Sequence, residues 1–217
     1  MYPVLHPHKY TDIVAENTVI GENATISVTV PYEATGSVTI KVNGKEYTNE
    51  IVKGKVVFSV LADVAGEVNV DASYDGDSFF LESSNSTTFN VAKLTTAVDI
   101  DAKDIKVGED AVITVTVNDQ ATGSVTITVG GKDYTENVDN GVAKFTVSNL
   151  TGGVKEITAK YNGDSKYGEN TTSISINVTR ETVTPVVDAN LTDDGNKSEI
   201  VIDMPEDATG NVTVKVG

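Results

Sequence analysis

The sequence predicts an all-β protein made of two-sheet sandwiches strung in tandem, and three observations predict it. The first is an internal repeat. "ATGSVTI" runs from Ala34 to Ile40 and again from Ala121 to Ile127, and "ATGNVTV" runs from Ala208 to Val214. Gly36, Gly123 and Gly210 stand 87 residues apart, as do Gly21, Gly108 and Gly195; Tyr74 and Tyr161 keep the same step. A unit of 87 residues is longer than solenoid repeats of roughly 20–50 residues and long enough to hold its own core. The second is composition. Val and Thr dominate, there is no Trp and there are two Met among 217 residues; β-branched side chains suit a pleated surface and lose freedom in a helix. The third is period-two alternation of apolar and polar residues, broken by turn signals.

The second unit shows the strands in order. A first strand is expected near Ala97 to Ile100. "AVITVTV" turns Ile113, Val115 and Val117 to one face, and "SVTITV" does so with Val125, Ile127 and Val129. "VAKFTV" aims Ala143, Phe145 and Val147 inward, "KEITAKY" aims Ile157, Ala159 and Tyr161, and "TSISINV" aims Ile174, Ile176 and Val178. The first unit repeats these faces, from Ile26, Val28 and Val30 to Thr87, Phe89 and Val91. Asn43-Gly44, and Gly130-Gly131 in its place, predict two-residue hairpins, because both turn residues need positive φ. About seven short strands per 87 residues, each with one inward face, predict an immunoglobulin-like sandwich.

The 32 acidic and 16 basic residues leave a formal charge of −16. That argues against nucleic acid as a partner, since phosphates call for Lys and Arg, and it suits a soluble, self-repelling, extended molecule. The absence of cysteine excludes disulfides, thiolate metal sites and a cysteine nucleophile. No apolar run approaches the roughly 20 residues that cross a bilayer, so no membrane insertion is expected of this stretch. No phosphate loop, nucleophile elbow or histidine-bearing metal motif is present, and both histidines, His6 and His8, lie in the lead-in. The expectation is a non-enzyme.

The run "GEDAVITVTV…ATGSVTITVGGKDY…GVAKFTV…ITAKYNGDSKYGENTTSISINV", with "YDGDSFF" at Tyr74 to Phe80 and "YNGDSKY" at Tyr161 to Tyr167, resembles the Ig-like repeats found in tandem in large bacterial and archaeal surface proteins. It is most similar to adhesin-like proteins of methanogenic archaea. The resemblance implies an extracellular, cell-surface location and an adhesive or spacer role.

The domains expected are a flexible lead-in over 1–9, Ig-like units over 10–93 and 94–180, and the first strands of a third over 181–217. The chain stops in mid-repeat at Gly217, which predicts a segment of a longer protein. In the third unit Ile200, Ile202 and Met204 match one strand, and Val212, Val214 and Val216 another. Lacking later strands, this part is expected to be disordered, to dock on the second unit, or to self-associate through residues 199–216.

Tyr74, Gly76 and Asp77, and their counterparts Tyr161, Gly163 and Asp164, read as a structural loop: glycine supplies the turn and aspartate accepts backbone N–H groups. The loop is expected at the end where the first strand enters, against the tail of the preceding unit. Tyr32, Phe79 and Phe80 are the candidates for a binding loop that meets a glycan or protein of a partner cell. No cofactor is expected. Calcium is the metal weighed, with Asp99, Asp101 and Asp110 as weak ligands that do not recur as a set. Among the Asn-x-Ser/Thr sequons, Asn85, Asn149 and Asn170 are placed in loops as the glycosylation candidates. The function expected is a semi-rigid stalk that presents a distal binding region. The alternative is that the units bind a glycan or a partner-cell protein through their own loops.

Overall fold

The computed structural model describes residues 11–191, 198–206 and 208–215; the expected lead-in, with His6 and His8, lies outside the described residues. All its regular structure is β. In the first unit the strands are β1 (Asp12–Ala15), β2 (Thr18–Val19), β3 (Asn23–Thr29), β4 (Ser37–Val42), β5 (Lys45–Glu50), β6 (Lys55–Leu61), β7 (Gly66–Tyr74) and β8 (Ser83–Ala92). The second unit repeats them as β9 (Asp99–Ala102), β10 (Ile105–Lys106), β11 (Ala111–Thr116), β12 (Ser124–Val129), β13 (Lys132–Asn137), β14 (Val142–Val147), β15 (Gly153–Tyr161) and β16 (Asn170–Thr179). Each unit is an Ig-like sandwich of a three-stranded sheet, β1-β3-β6 or β9-β11-β14, and a five-stranded sheet, β2-β8-β7-β4-β5 or β10-β16-β15-β12-β13.

The count is eight strands per unit rather than seven, because the first strand divides. β1 pairs antiparallel with β3, and the chain then crosses to run parallel to β8, with Thr18 opposite Val91. The Asn17 side chain holds the crossing by accepting the Asn90 N–H at 2.7 Å, and Asp104 accepts the Asn177 N–H likewise. The first strand of the second unit is Asp99–Ala102, two residues later than the sequence suggested.

Turn chemistry decides which sheet receives the fifth strand. Asn43 and Gly44 have φ of 49° and 78°, and Gly130 and Gly131 have 59° and 77°. Such a tight turn returns the chain beside the strand it left, so β5 stays with β4 instead of joining β6. A second tight turn, at Lys53-Gly54 and Asn140-Gly141, then sends the chain to the other sheet.

The period-two faces close on two separate cores. Ile26, Val28, Val38, Ile40, Val70 and Phe58 are buried in the first. Ile113, Val115, Val125, Ile127, Ile157 and Tyr161 are buried in the second. Ile174, expected inward, is half-buried at the rim of its core.

Past Thr179 the chain forms a two-stranded sheet of β17 (Val186–Leu191) and β18 (Ser198–Asp203), the counterpart of β9 with β11. Ile200 and Ile202 therefore do have a neighbour, Ile200 facing Ala189 and Ile202 facing Val187. The strand expected through Val212 and Val214 is absent from the described residues there, and both side chains are exposed. A strand in that register needs the partners that the other two units draw from β7 or β15.

Candidate functional site: the aspartate loops and the exposed aromatics

The loop after β15 is built around one carboxylate. Asp164 Oδ1 accepts the backbone N–H groups of Lys166 at 2.7 Å and Tyr167 at 2.6 Å, which closes the turn. Its Oδ2 accepts the Thr122 N–H at 2.7 Å and the Thr122 hydroxyl at 2.9 Å. The Tyr161 hydroxyl donates to the Thr122 carbonyl at 2.8 Å. The first unit repeats this with Asp77, Thr35 and Tyr74: Thr35 N–H donates at 2.8 Å, Phe79 N–H at 2.7 Å, Phe80 N–H at 2.8 Å, and Tyr74 O–H reaches the Thr35 carbonyl at 3.1 Å.

Glycine is required where these segments close up. Gly163 has φ of +78°, and a Cβ there would lie 3.0 Å from the Tyr167 carbonyl oxygen and 3.1 Å from the Glu169 nitrogen. A Cβ on Gly123 would come within 2.6 Å of the Gly163 oxygen. The threonine of the repeated heptapeptide and the Tyr-x-Gly-Asp loop thus form one latch in both units, and the close approach of the heptapeptide glycine belongs to the second alone, since a Cβ on Gly36 would meet nothing within 4 Å. Both motifs are legible in the sequence but their meeting is not: the 42-residue separation of Thr35 from Asp77 and of Thr122 from Asp164 recurs with the repeat whether or not the residues touch.

The electrostatics follow from the donors. The Thr35 N–H, then those of Phe79 and Phe80, hold the Asp77 carboxyl far below its ordinary value of 3.8. Partial burial opposes ionisation of Asp164, but the N–H groups of Tyr167, Thr122 and Lys166 and the Thr122 hydroxyl outweigh it, and its carboxyl is held equally low. Burial, and then the neighbouring Asp77 carboxylate, push the Tyr74 hydroxyl up to about 12. Tyr161 is pushed up further by burial and Asp164. A carboxylate so fully bonded and a phenol so hard to ionise are poor acid–base groups at neutral pH; the arrangement fastens loops.

The loop of the second unit also meets the incoming chain. Leu94 N–H donates to the Lys166 carbonyl at 2.9 Å, Gly168 N–H donates to the Leu94 carbonyl at 2.8 Å, and the Lys93 ammonium donates to the Asp164 carbonyl.

The aromatic candidates divide. Tyr32 and Phe79 are 69% and 68% exposed, whereas Phe80 is half-buried against the first core. Phe80 occupies the place of Tyr167, which is buried with its hydroxyl on Asn118 at 2.9 Å. The Asp77–Thr35 bonds bring the Tyr32 loop and the Phe79 loop together.

Two of the three sequon asparagines lie in strands rather than loops: Asn85 is in β8, and Asn170 opens β16. Their side-chain amides donate to the Thr11 and Thr96 carbonyls at 2.7 Å in each case, fastening the segment that enters each unit. Asn149 is exposed in the β14–β15 loop with φ of 62°. Asp99 and Asp101 lie on β9 opposite Thr116 and Thr114, and Asp110 precedes β11. Among the described residues no three acidic or histidine side chains converge as a metal site, and no helix is long and apolar enough to cross a membrane.

Fold and loops together define tandem Ig-like repeats. Residues 98–179 match the family model of the bacterial Ig-like domain (group 3). No curated protein matches the sequence. Similar solved structures include the Yersinia pseudotuberculosis adhesin InvE, at 16% identity and a TM-score of 0.41, covering 77% of this chain and 59% of that one. Another is a 1.5-MDa bacterial ice-binding adhesin, at 16% identity and 0.34, covering 85% and 70%. A third is that of fibronectin(III)-like modules of Clostridium thermocellum CbhA, at 16% identity and 0.35, covering 79% and 95%.

Proposed function

We propose that this chain is a run of Ig-like repeats from a cell-surface, adhesin-like protein, serving as a semi-rigid stalk that holds a distal binding region away from the cell. The reading takes the units as 10–93, 94–180 and 181–217, and it places the parent among the adhesin-like proteins of methanogenic archaea on the strength of the quoted motifs. One observation carries it. The linker residues Lys93 and Leu94 are hydrogen-bonded into the aspartate loop of the unit that follows, so little free coil remains between the sandwiches. The acidic surface adds mutual repulsion. Residual dipolar couplings test the stalk: one alignment tensor should fit both units, and replacing Lys93 and Leu94 by glycine should split it in two. Two unrelated tensors in the unaltered chain would refute the stalk.

The second reading, recognition of a glycan or partner-cell protein through the loops of the first unit, is favoured by the exposure of both Tyr32 and Phe79 on two loops that Thr35 and Asp77 tie together. Whole-cell and glycan binding lost in Phe79→Ala at unchanged melting temperature supports it; equal binding by the variant removes it.

A further inference from the structure

The second unit carries a feature that its twin lacks. Where the β12–β13 hairpin approaches the loop after β14, a groove of about 510 Å³ opens between the edges of the two sheets. Its lining includes Lys132, Tyr134, Thr146, Ser148, Leu150 and Lys155 and no acidic residue, in a chain where acids outnumber bases two to one. The acids next in sequence to the two lysines point elsewhere. Asp133 bonds the Thr128 hydroxyl at 2.6 Å on the far face of β13, and Glu156 alternates away from Lys155. Lys155 is half-buried, and its ammonium donates to the Thr151 hydroxyl at 2.9 Å, which aims it while leaving donors free. Leu150 is 8% exposed and forms the apolar floor.

The first unit is a built-in comparison at the 87-residue step. Lys45 and Tyr47 stand for Lys132 and Tyr134, but Asp63 stands for Leu150 and Val68 for Lys155. There Asp63 pairs with Lys45 at 3.4 Å, and Val68 is buried. One cation is thus paired with an acid and the other missing, so of these two units the second alone carries both lysines without an acid at this place.

Its chemistry suits a sugar acid. Two ammonium groups suit a carboxylate, hydroxyls of Thr146 and Ser148 suit ring hydroxyls, and an aromatic edge with a leucine floor suits the carbon face of a pyranose. The volume lies within the range of small-ligand sites. We propose that this groove binds a carboxylate-bearing saccharide unit, a uronate or a sialate, with Lys132 and Lys155 on the carboxylate and Tyr134 and Leu150 against the ring. The assignment is separate from the stalk reading, which the alignment tensors test on their own.

The experiment is an NMR titration of the full ¹⁵N-labelled chain with trigalacturonate, its methyl ester, sialyllactose and hexaglutamate. Trigalacturonate or sialyllactose should shift amides in residues 130–134 and 146–155, leave 43–47 and 59–68 unmoved, and bind several-fold more weakly as salt is raised. Whichever of the two binds more tightly identifies the acid. Lys132→Gln with Lys155→Gln should weaken binding at least tenfold at unchanged melting temperature, and Lys45→Gln should leave it unaltered. No shifts at millimolar acid sugar, equal binding of the ester, or equal binding by the double variant would overturn the site. Hexaglutamate binding as tightly as the sugars would replace the saccharide with an acidic peptide.

Discussion

Asp77 and Asp164 each gather donors from two loops some 40 residues apart in sequence, so each carboxylate's charge is tied to folding. A carboxyl held below its ordinary 3.8 contributes stability that is complete above the unfolded value. That contribution is lost as pH falls, because the unfolded chain takes up the proton first. Thermal melts should hold steady from pH 7 to about 5 and then decline toward pH 2, and Asp77→Asn with Asp164→Asn should flatten that decline. The phenols act in the opposite sense. Tyr74, raised to about 12, contributes stability that is complete below the unfolded value of 10 and lost between 10 and 12. Tyr74→Phe should remove that alkaline step from the first unit. Tyr161→Phe should cost about 1–2 kcal/mol in urea unfolding, since it leaves the Thr122 carbonyl without its donor.

At the scale of the element, the latch depends on a backbone that comes closer than a side chain allows. Gly163→Ala forces a Cβ toward the Tyr167 carbonyl in left-handed backbone, and should destabilise the second unit by about 1–3 kcal/mol. Hydrogen exchange should quicken first at Lys166 and Tyr167, whose N–H groups bond Asp164, and at Leu94, which lies beside them. If exchange quickened evenly across the unit, the loop would have no separate role in holding the linker. The entering strand has its own fastening. Asn85 and Thr11 stand two residues out of step with Asn170 and Thr96, since each pair is separated by 85 residues rather than 87. A shift of two on both partners keeps the same strand face, so the bond survives although the sequence register does not.

For the whole molecule, two cores with no buried residue in common predict two melting events. Phe58 is 2% exposed, and Phe58→Ala should lower the first unit's stability by about 3–5 kcal/mol. Calorimetry should show that transition moving to lower temperature while the second stays in place. A single transition displaced as one would mean that the units fold as one cooperative body. Among the described residues the β17–β18 sheet has no such enclosed core. Val186, Val187 and Val201 remain exposed, and two strands alone are marginal in water.

The repeat, the all-β class, the inward faces and the Asn43-Gly44 and Gly130-Gly131 hairpins were legible in the sequence because each is a local property. Alternation fixes which side chains share a face, and φ preference fixes which residues can turn. What the tertiary structure alone decided are meetings between distant segments: Thr122 with Asp164, Asn170 with Thr96, Leu94 with the loop that receives it, and Lys132 and Lys155 along one groove. Those depend on how two sheets stack and where their ends fall, and no periodicity along a single strand carries that information.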